Sequence, residues 1–332
     1  MKNINNFFSE NEYIFIPSTS NPKVILAIDN KEIKNNSFKL YNPFSYKAKI
    51  YKFFLKNLYN FSIISNAFKV SHTDSPFINY LNRQFNEKFI SSIYKSTEED
   101  KVVIQLQTSR QIFAYIKFPL NETGCKRILN EKKAINALSK LNIVEHYLAF
   151  DYFEKNPFLV LKPLDGVYSL YNKESILSLL EKLKSNEETN LLDHPRTIEI
   201  AEILKKDKIL YKRFYRAISR SRNSYKIVYE HGDFAPWNII KSKRDNRLIL
   251  FDFEYFVEKG LEWLDFIKYY YQIGRLLKNY NMIKIINYVY AHFDIKEKDI
   301  LFQFFLYKEI ADKMRENKTC EFEINLLKMI EK

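Results

Sequence analysis

The sequence predicts an α+β protein: an antiparallel strand region, then a mostly helical region, with an extra α/β module of strands and helices in front. Three observations carry this expectation. Residues 89–118 read as three consecutive strands, residues 167–224 are mostly helical by pattern, and residues 239–251 read as a short hairpin. At 332 residues the chain is long enough for one large or two medium domains with proper cores.

Residues 1–88 form the first expected module. Strand-like runs at 13–16, 23–28 and 38–41 are separated by turn clusters at 17–22 and 29–37. Ile50, Phe53, Phe54 and Leu58 recur at helical spacing, which predicts a helix from Tyr46 to about Ser65. A second helix is expected after Asp74-Ser75-Pro76, where Ser and Pro make a start signal. No convergent polar group stands out in this module, so a packing or docking role is its plainest reading.

Residues 89–161 form the second. Strands at 89–95, 101–107 and 111–118 make an antiparallel meander whose first turn is Ser96-Thr97-Glu98-Glu99-Asp100. On the third strand Phe113, Tyr115 and Lys117 share one face. The following helix has an apolar stripe of Ile128, Ile135 and Leu138, and Glu131 falls on it. A carboxylate there needs a partner, because an unpaired buried charge is costly. Lys117, on the preceding strand, is the natural candidate. Lys126, Arg127, Lys132 and Lys133 are expected on the helix's other faces. A short buried strand then ends at Lys162-Pro163-Leu164-Asp165-Gly166, the composition of a link between two lobes.

Residues 162–332 form the third. Ile176, Leu177, Leu179, Leu180 and Leu183 mark one helix, Glu187-Glu188-Thr189-Asn190 a break, and residues 198–210 another helix. The very basic piece 212–222 reads as a solvated helix face, with contact to an anionic substrate group as the other reading. His231-Gly232-Asp233-Phe234-Ala235-Pro236-Trp237-Asn238 precedes the hairpin, and Asp252-Phe253-Glu254 follows it. An antiparallel hairpin brings its two open ends together. Asn238 and Asp252 should therefore lie close, with Asp233 in the loop above them. Two of the three oxygen-bearing side chains suit a hard cation such as Mg²⁺, and one is left to act on a substrate.

Composition narrows the partners. The formal charge of +13 raises nucleic acid or an anionic membrane surface. The cations are spread along the chain without a nucleic-acid-binding pattern, which argues against nucleic acid and leaves anionic substrates such as nucleotides. Two cysteines are too few for a disulfide framework and point to a reducing compartment. The N-terminus lacks the apolar core of a signal peptide, and no run reaches the ~18 apolar residues that span a bilayer. A cytoplasmic protein is expected.

The order Lys117, Glu131, the 158–166 bend, His231-Gly232-Asp233 with Asn238, and Asp252-Phe253-Glu254 resembles the aminoglycoside phosphotransferase and choline kinase family. These are small-molecule kinases with a protein-kinase-like, two-lobed fold. The resemblance covers roughly residues 89–290. Protein kinases have Arg where this chain has Gly232, and Gly where it has Glu254. It implies an antiparallel sheet N-lobe at 89–161 and a mostly helical C-lobe at 162–332, behind the extra module at 1–88. It also implies ATP and Mg²⁺ as cofactors and phosphoryl transfer to a small hydroxylated acceptor. Asp233 would be the catalytic base. Asn238 and Asp252 would hold Mg²⁺. Lys117, positioned by Glu131, would contact the nucleotide phosphates, and backbone groups around Lys162 and Leu164 would bind the base. Asp265 matches a family acid that braces the catalytic loop, and His231 is expected to be structural.

Two departures stand out. The 96–100 turn has no glycine, and its three acids would repel phosphate groups. Either that turn points away, or phosphate binding relies on Lys117 and metal alone. Tyr115 is bulky where a small residue usually borders the base. The basic stretch 205–226 argues against an aminoglycoside and for a neutral or anionic acceptor, while a weaker, fold-level resemblance to kinase-like proteins of surface-glycan synthesis would fit a sugar, polyol or amino alcohol. The alternative is a catalytically silent kinase-fold module in a membrane-associated glycan assembly.

Overall fold

The structure is a computed structural model that describes residues 4–18, 20–40, 49–50, 52–54, 70–96 and 98–331. The chain divides into two compact units, residues 1–139 with 145–165, and residues 140–144 with 166–332.

The first unit is built on an eight-stranded antiparallel sheet. Its strands are β1 (Asn11–Ile16), β2 (Val24–Ala27), β3 (Val70–His72), β4 (Ile90–Lys95), β5 (Lys101–Gln107), β6 (Ile112–Pro119), β7 (Tyr147–Phe153) and β8 (Asn156–Leu161). Their order across the sheet is β3-β1-β2-β4-β5-β6-β8-β7. Strand β2 pairs with β4, Ile25 opposite Ile93, so strands from the first 88 residues continue the sheet of the meander. Alternation sorts the side chains. Val102, Ile104, Leu106, Ala114, Ile116 and Phe118 enter one core with Phe77 and Phe158. The opposite face carries Lys117, Tyr115 and Gln105, since Lys117 pairs with Val103 and Tyr115 with Gln105.

Two helices, at residues 31–40 and 122–138, lie on that second face, and a third, at 76–85, packs on the first. Helix α1 (Lys31–Leu40) occupies residues expected as a turn and a strand. Asn30 Oδ1 accepts from Ile33 N at 3.0 Å, which fixes its start. Half of its buried side is polar, Asn36 and Ser37 beside Ile33 and Phe38, so no apolar period announces a helix. Beneath it Gln105 Nε2 donates to Asn36 O at 3.0 Å and Gln107 Nε2 to Ser37 Oγ at 2.7 Å. Helix α2 (Pro76–Phe85) starts where expected, with Ser75 as its N-cap. Helix α3 (Glu122–Leu138) is capped by Asn121 and buries Ile128, Glu131, Ile135 and Leu138 on one side. It packs through Ile128 and Ile135 on Leu159, which places it on the Lys117 face. The expected helix from Tyr46 to Ser65 lies outside the described residues, except for helical positions 49–50 and 52–54.

The second unit is mostly helical. It contains α4 (Lys173–Glu181), α5 (Pro195–Leu204), α6 (Lys208–Ile218), α7 (Leu264–Gln272), α8 (Met282–His292), α9 (Lys298–Arg315) and α10 (Glu321–Ile330). Every residue from 300 to 311 on α9 is buried, the mark of a helix surrounded by others. Residues 198–210 are two helices rather than one. The chain breaks after Leu204, and Asp207 caps α6 by accepting from Ile209 N and Leu210 N.

Two three-stranded sheets accompany the helices: β10-β11-β14, formed by Lys184–Asn190, Ser224–Glu230 and Val257–Leu261, and β13-β12-β9, formed by Leu248–Leu250, Ile239–Ser242 and Gly166–Val167. The expected break at 187–190 falls on β10, a charged edge strand. Its composition reads as loop because an edge that must not aggregate is kept polar. No helix among the described residues is long and apolar enough to cross a membrane.

Candidate functional site

In the second unit the β12–β13 hairpin sets the geometry. Ile239 pairs with Leu250, and Phe251 N donates to Asn238 O at 3.2 Å, so Asn238 stands beside the residue that precedes Asp252. Asn238 is buried, and its amide nitrogen donates to Asp233 O at 2.8 Å and to Asp233 Oδ2 at 3.2 Å. With the nitrogen committed to Asp233, the carboxamide oxygen is the atom left to meet a cation. Asp252 has φ of 68°, an unusual conformation for a residue with a Cβ and one that clusters at functional positions. A carboxylate oxygen of Asp252 lies within 4.8 Å of one of Glu254. This oxygen-only set fits Mg²⁺ by donor chemistry.

The loop that carries Asp233 is clamped on every side. Asp265, at the start of α7, accepts from His231 N at 2.6 Å and from Gly232 N at 3.0 Å. His231 is fully buried, with Nε2 against Phe251 O at 3.0 Å and Nδ1 accepting from Asp233 N at 3.3 Å. Those partners assign the neutral ring with its proton on Nε2. Gly232 has φ of 80°, and a Cβ there would stand 2.2 Å from Tyr255 O, so the position admits only glycine. Gly260 is required for a different reason: its Cβ would meet Glu230 Cβ at 2.2 Å, in the strand leading to the loop.

Burial, reinforced by the nearby Glu230, pushes the Asp265 carboxyl up to about 7, against the two N–H donors that lower it. A carboxyl raised above its unfolded value stabilises the fold fully below about 4, and that contribution is lost as pH rises to about 7. Asp265→Asn should therefore flatten the dependence of unfolding free energy on pH between those values, measured by urea titration. An unchanged slope would contradict the assignment.

Sequence reasoning missed Lys268 and its supports. One turn after Asp265 on α7, Lys268 Nζ donates to both oxygens of Glu309, at 2.9 and 2.7 Å, and lies 3.9 Å from Asp233 Oδ1. Gln272 Nε2 reaches the same Asp233 oxygen at 3.4 Å. Lys308, buried, donates to Gly232 O at 3.1 Å and to Glu309 Oε1 at 3.1 Å. A second carboxylate, Asp312, stands 3.1 Å from Lys308. A buried Lys-Glu pair beside the loop has no sequence signature, since α7 and α9 meet only in the folded chain.

In the first unit Lys117 Nζ lies 2.8 and 2.7 Å from the two oxygens of Glu131, both residues buried. Lys162 and Leu164 lie in the irregular stretch after β8, the first exposed and the second half-buried. The acids of the 96–100 turn are engaged by cations. Arg127 meets Glu98 at 2.5 Å and Asp100 at 2.7 Å, and Lys95 meets Glu99 at 3.2 Å. Arg127 is buried, not on an outer face of α3 as its basic neighbours implied. Gly124 belongs to this contact, because a Cβ there would stand 2.1 Å from Asp100 O. The turn is thus fastened to α3 one helical turn before Glu131. Arg127→Met leaves the Asp100 carboxylate buried without its cation and is expected to lower stability by about 3 kcal/mol. Asp100→Asn combined with it should recover part of that loss in a double-mutant cycle, and additive losses would refute the pairing.

In its architecture the chain is similar to solved phosphotransferases and kinases. They include APH(2")-IIia in complex with GDP and kanamycin, at 15% sequence identity, 77% of this chain, 98% of that chain and a TM-score of 0.48. A putative fructosamine-3-kinase from Haemophilus somnus 129PT overlaps at 14% identity, 76% of this chain, 96% of that chain and a TM-score of 0.45. A choline/ethanolamine kinase family protein from Mesorhizobium loti overlaps at 12% identity, 72% and 86% coverage and a TM-score of 0.41. No family model and no curated protein matches the sequence. The roles of individual residues therefore rest on this chain's own geometry.

Proposed function

We propose that the protein is an ATP-dependent phosphotransferase that phosphorylates a hydroxyl of a small molecule: a sugar, a polyol or an amino alcohol. The observation that carries this reading is the fixed constellation around Asp233, with Asn238 directed at it, Asp252 at the hairpin mouth and the loop braced by Asp265.

Asp233 accepts the proton of the acceptor hydroxyl as its oxygen attacks the terminal phosphorus. The bond from that phosphorus to the bridging oxygen breaks, and the nucleoside diphosphate leaves. Asn238 and Asp252 would hold Mg²⁺, which when bound would neutralise charge on the nucleotide phosphates. In the first unit Lys117, held by Glu131, would serve as a nucleotide-phosphate contact, and Lys162 and Leu164 would offer backbone groups to the base. Lys268 sits beside Asp233, its Nζ 3.9 Å from Oδ1, and Gln272 Nε2 reaches the same oxygen, so the carboxylate is held in place from the α7 side.

The alternative is a catalytically silent kinase-fold module in a glycan assembly, in which the extra first module would serve binding rather than catalysis. Helix α1 lies on the same sheet face as Tyr115 and Lys117, through Gln105 and Gln107. Isothermal titration separates the two readings. Mg–ATP should bind, and Asp252→Ala should remove the Mg²⁺ dependence of that binding. No binding, or binding indifferent to Asp252→Ala, sinks the enzyme. A mass-shift screen over sugars, polyols, choline and ethanolamine then finds the acceptor.

A further inference from the structure

Helix α6 turns Leu210, Phe214, Ala217 and Ile218 into the core of the second unit. Its other side is cationic. Between residues 205 and 222 the chain has eight Lys and Arg against one carboxylate, Asp207, whose Oδ1 caps the helix. Lys208, Lys212 and Arg216 succeed one another at four-residue steps on the exposed side, and Arg220 follows in the next turn. Four-residue steps rise about 6 Å each, so the helical part of the row is straight and about 12 Å long. Arg213 is engaged by Glu331 and Lys205 by Glu202, but among the described residues no ion pair holds Lys208, Lys212, Arg216 or Arg220. At the start of the row, beside Lys208, Ile209 is 70% exposed.

We propose that this face of α6 is a docking surface for the anionic headgroups of a phospholipid bilayer. Three unpaired cations on one helix, with Arg220 just past its end, complement a plane of phosphates, and such charges add their attractions at a membrane surface. Ile209, flanked by Lys208 and Lys212, is placed to enter the boundary between headgroup and acyl chain, which accepts an apolar side chain. A nucleic-acid partner offers it no such environment. The aromatic residues of the helix also do not form a stacking platform, because Tyr211 and Tyr215 are half-buried and pack edge-on against each other at 4.9 Å. The acceptor or product would then be met at a membrane surface. The inference does not depend on the phosphotransferase reading, since none of these residues belongs to that site.

The test is co-sedimentation of the full chain with vesicles of phosphatidylcholine, and of phosphatidylcholine mixed with an equal part of phosphatidylglycerol. Binding is expected only to the anionic vesicles and should fall steeply with salt. The double variant Lys212→Glu with Arg216→Glu should weaken it roughly thirtyfold or more. Both side chains are exposed, so thermal unfolding should not move. Lys155→Glu with Lys243→Glu makes the same change in net charge at exposed positions elsewhere and should weaken binding far less. Equal binding to neutral vesicles, an equal loss in the control variant, or a duplex oligonucleotide bound more tightly than the vesicles at the same salt would each overturn the proposal.

Discussion

Asp233→Asn is expected to lower turnover about 10²–10⁴-fold while leaving the affinity for Mg–ATP nearly unchanged. The carboxylate accepts from Asn238 Nδ2 and Gln272 Nε2, and the loop beneath it is held through backbone atoms of His231 and Gly232. An amide of the same shape therefore removes the proton acceptor without removing the clamps. The two readouts must separate, turnover by a coupled assay and nucleotide affinity by calorimetry. Loss of both together would mean that Asp233 holds the loop rather than serving as its reactive group. Unchanged turnover would end its assignment as the base.

Glu309→Gln is expected to destabilise the protein by about 3–5 kcal/mol, the usual effect of removing one partner from a buried ion pair. Burial alone would raise this carboxyl, but Lys268 and Lys308 pull it down to about 2. Without its charge two buried ammonium groups remain. Lys308 keeps Asp312 at 3.1 Å, and among the described residues Lys268 keeps only Asp233 as an ionic partner, at 3.9 Å. A depressed carboxyl contributes stability that is present above its unfolded value and lost as pH falls toward the folded one. The gap between the parent and Glu309→Gln in urea unfolding should thus be full above about pH 5 and narrow as pH falls toward 2. A constant gap would show that packing, not charge, accounts for it. Turnover should fall as well, since Lys308 also holds Gly232 O at 3.1 Å.

The two variants probe different layers of one arrangement. Asp233, Asn238 and Asp252 were legible in the sequence because a hairpin and a tight loop are local: their separations are set by a few peptide bonds and one strand register. The Lys117–Glu131 pair was legible for a related reason. A charged residue on a buried stripe requires a partner, and the preceding strand offered one. Gly232, part of the motif read from the sequence, is required by its own backbone, with φ of 80°. The contact that requires Gly124 could not be inferred until the 96–100 turn and α3 were seen together.

Helix α1 and strand β10 were not legible. Each buries or exposes a mixture of residue types, and periodicity fails wherever polar groups do the packing. Their identity was decided by partners distant in sequence, Gln105 and Gln107 for α1 and strand β11 for β10.

By itself, then, the sequence determined the α+β class, the hairpin that brings Asn238 beside Asp252, and the pairing demanded by Glu131. Only the tertiary structure decided that Lys268 and Glu309 support Asp233, that Arg127 engages the acids of the first turn, and that α1 lies on the Lys117 face. The division follows from how these features are specified. The former depend on strand register and helical phase within a short stretch. The latter depend on charges that become neighbours only when separate elements fold together, and no local pattern records which distant residue will stand opposite.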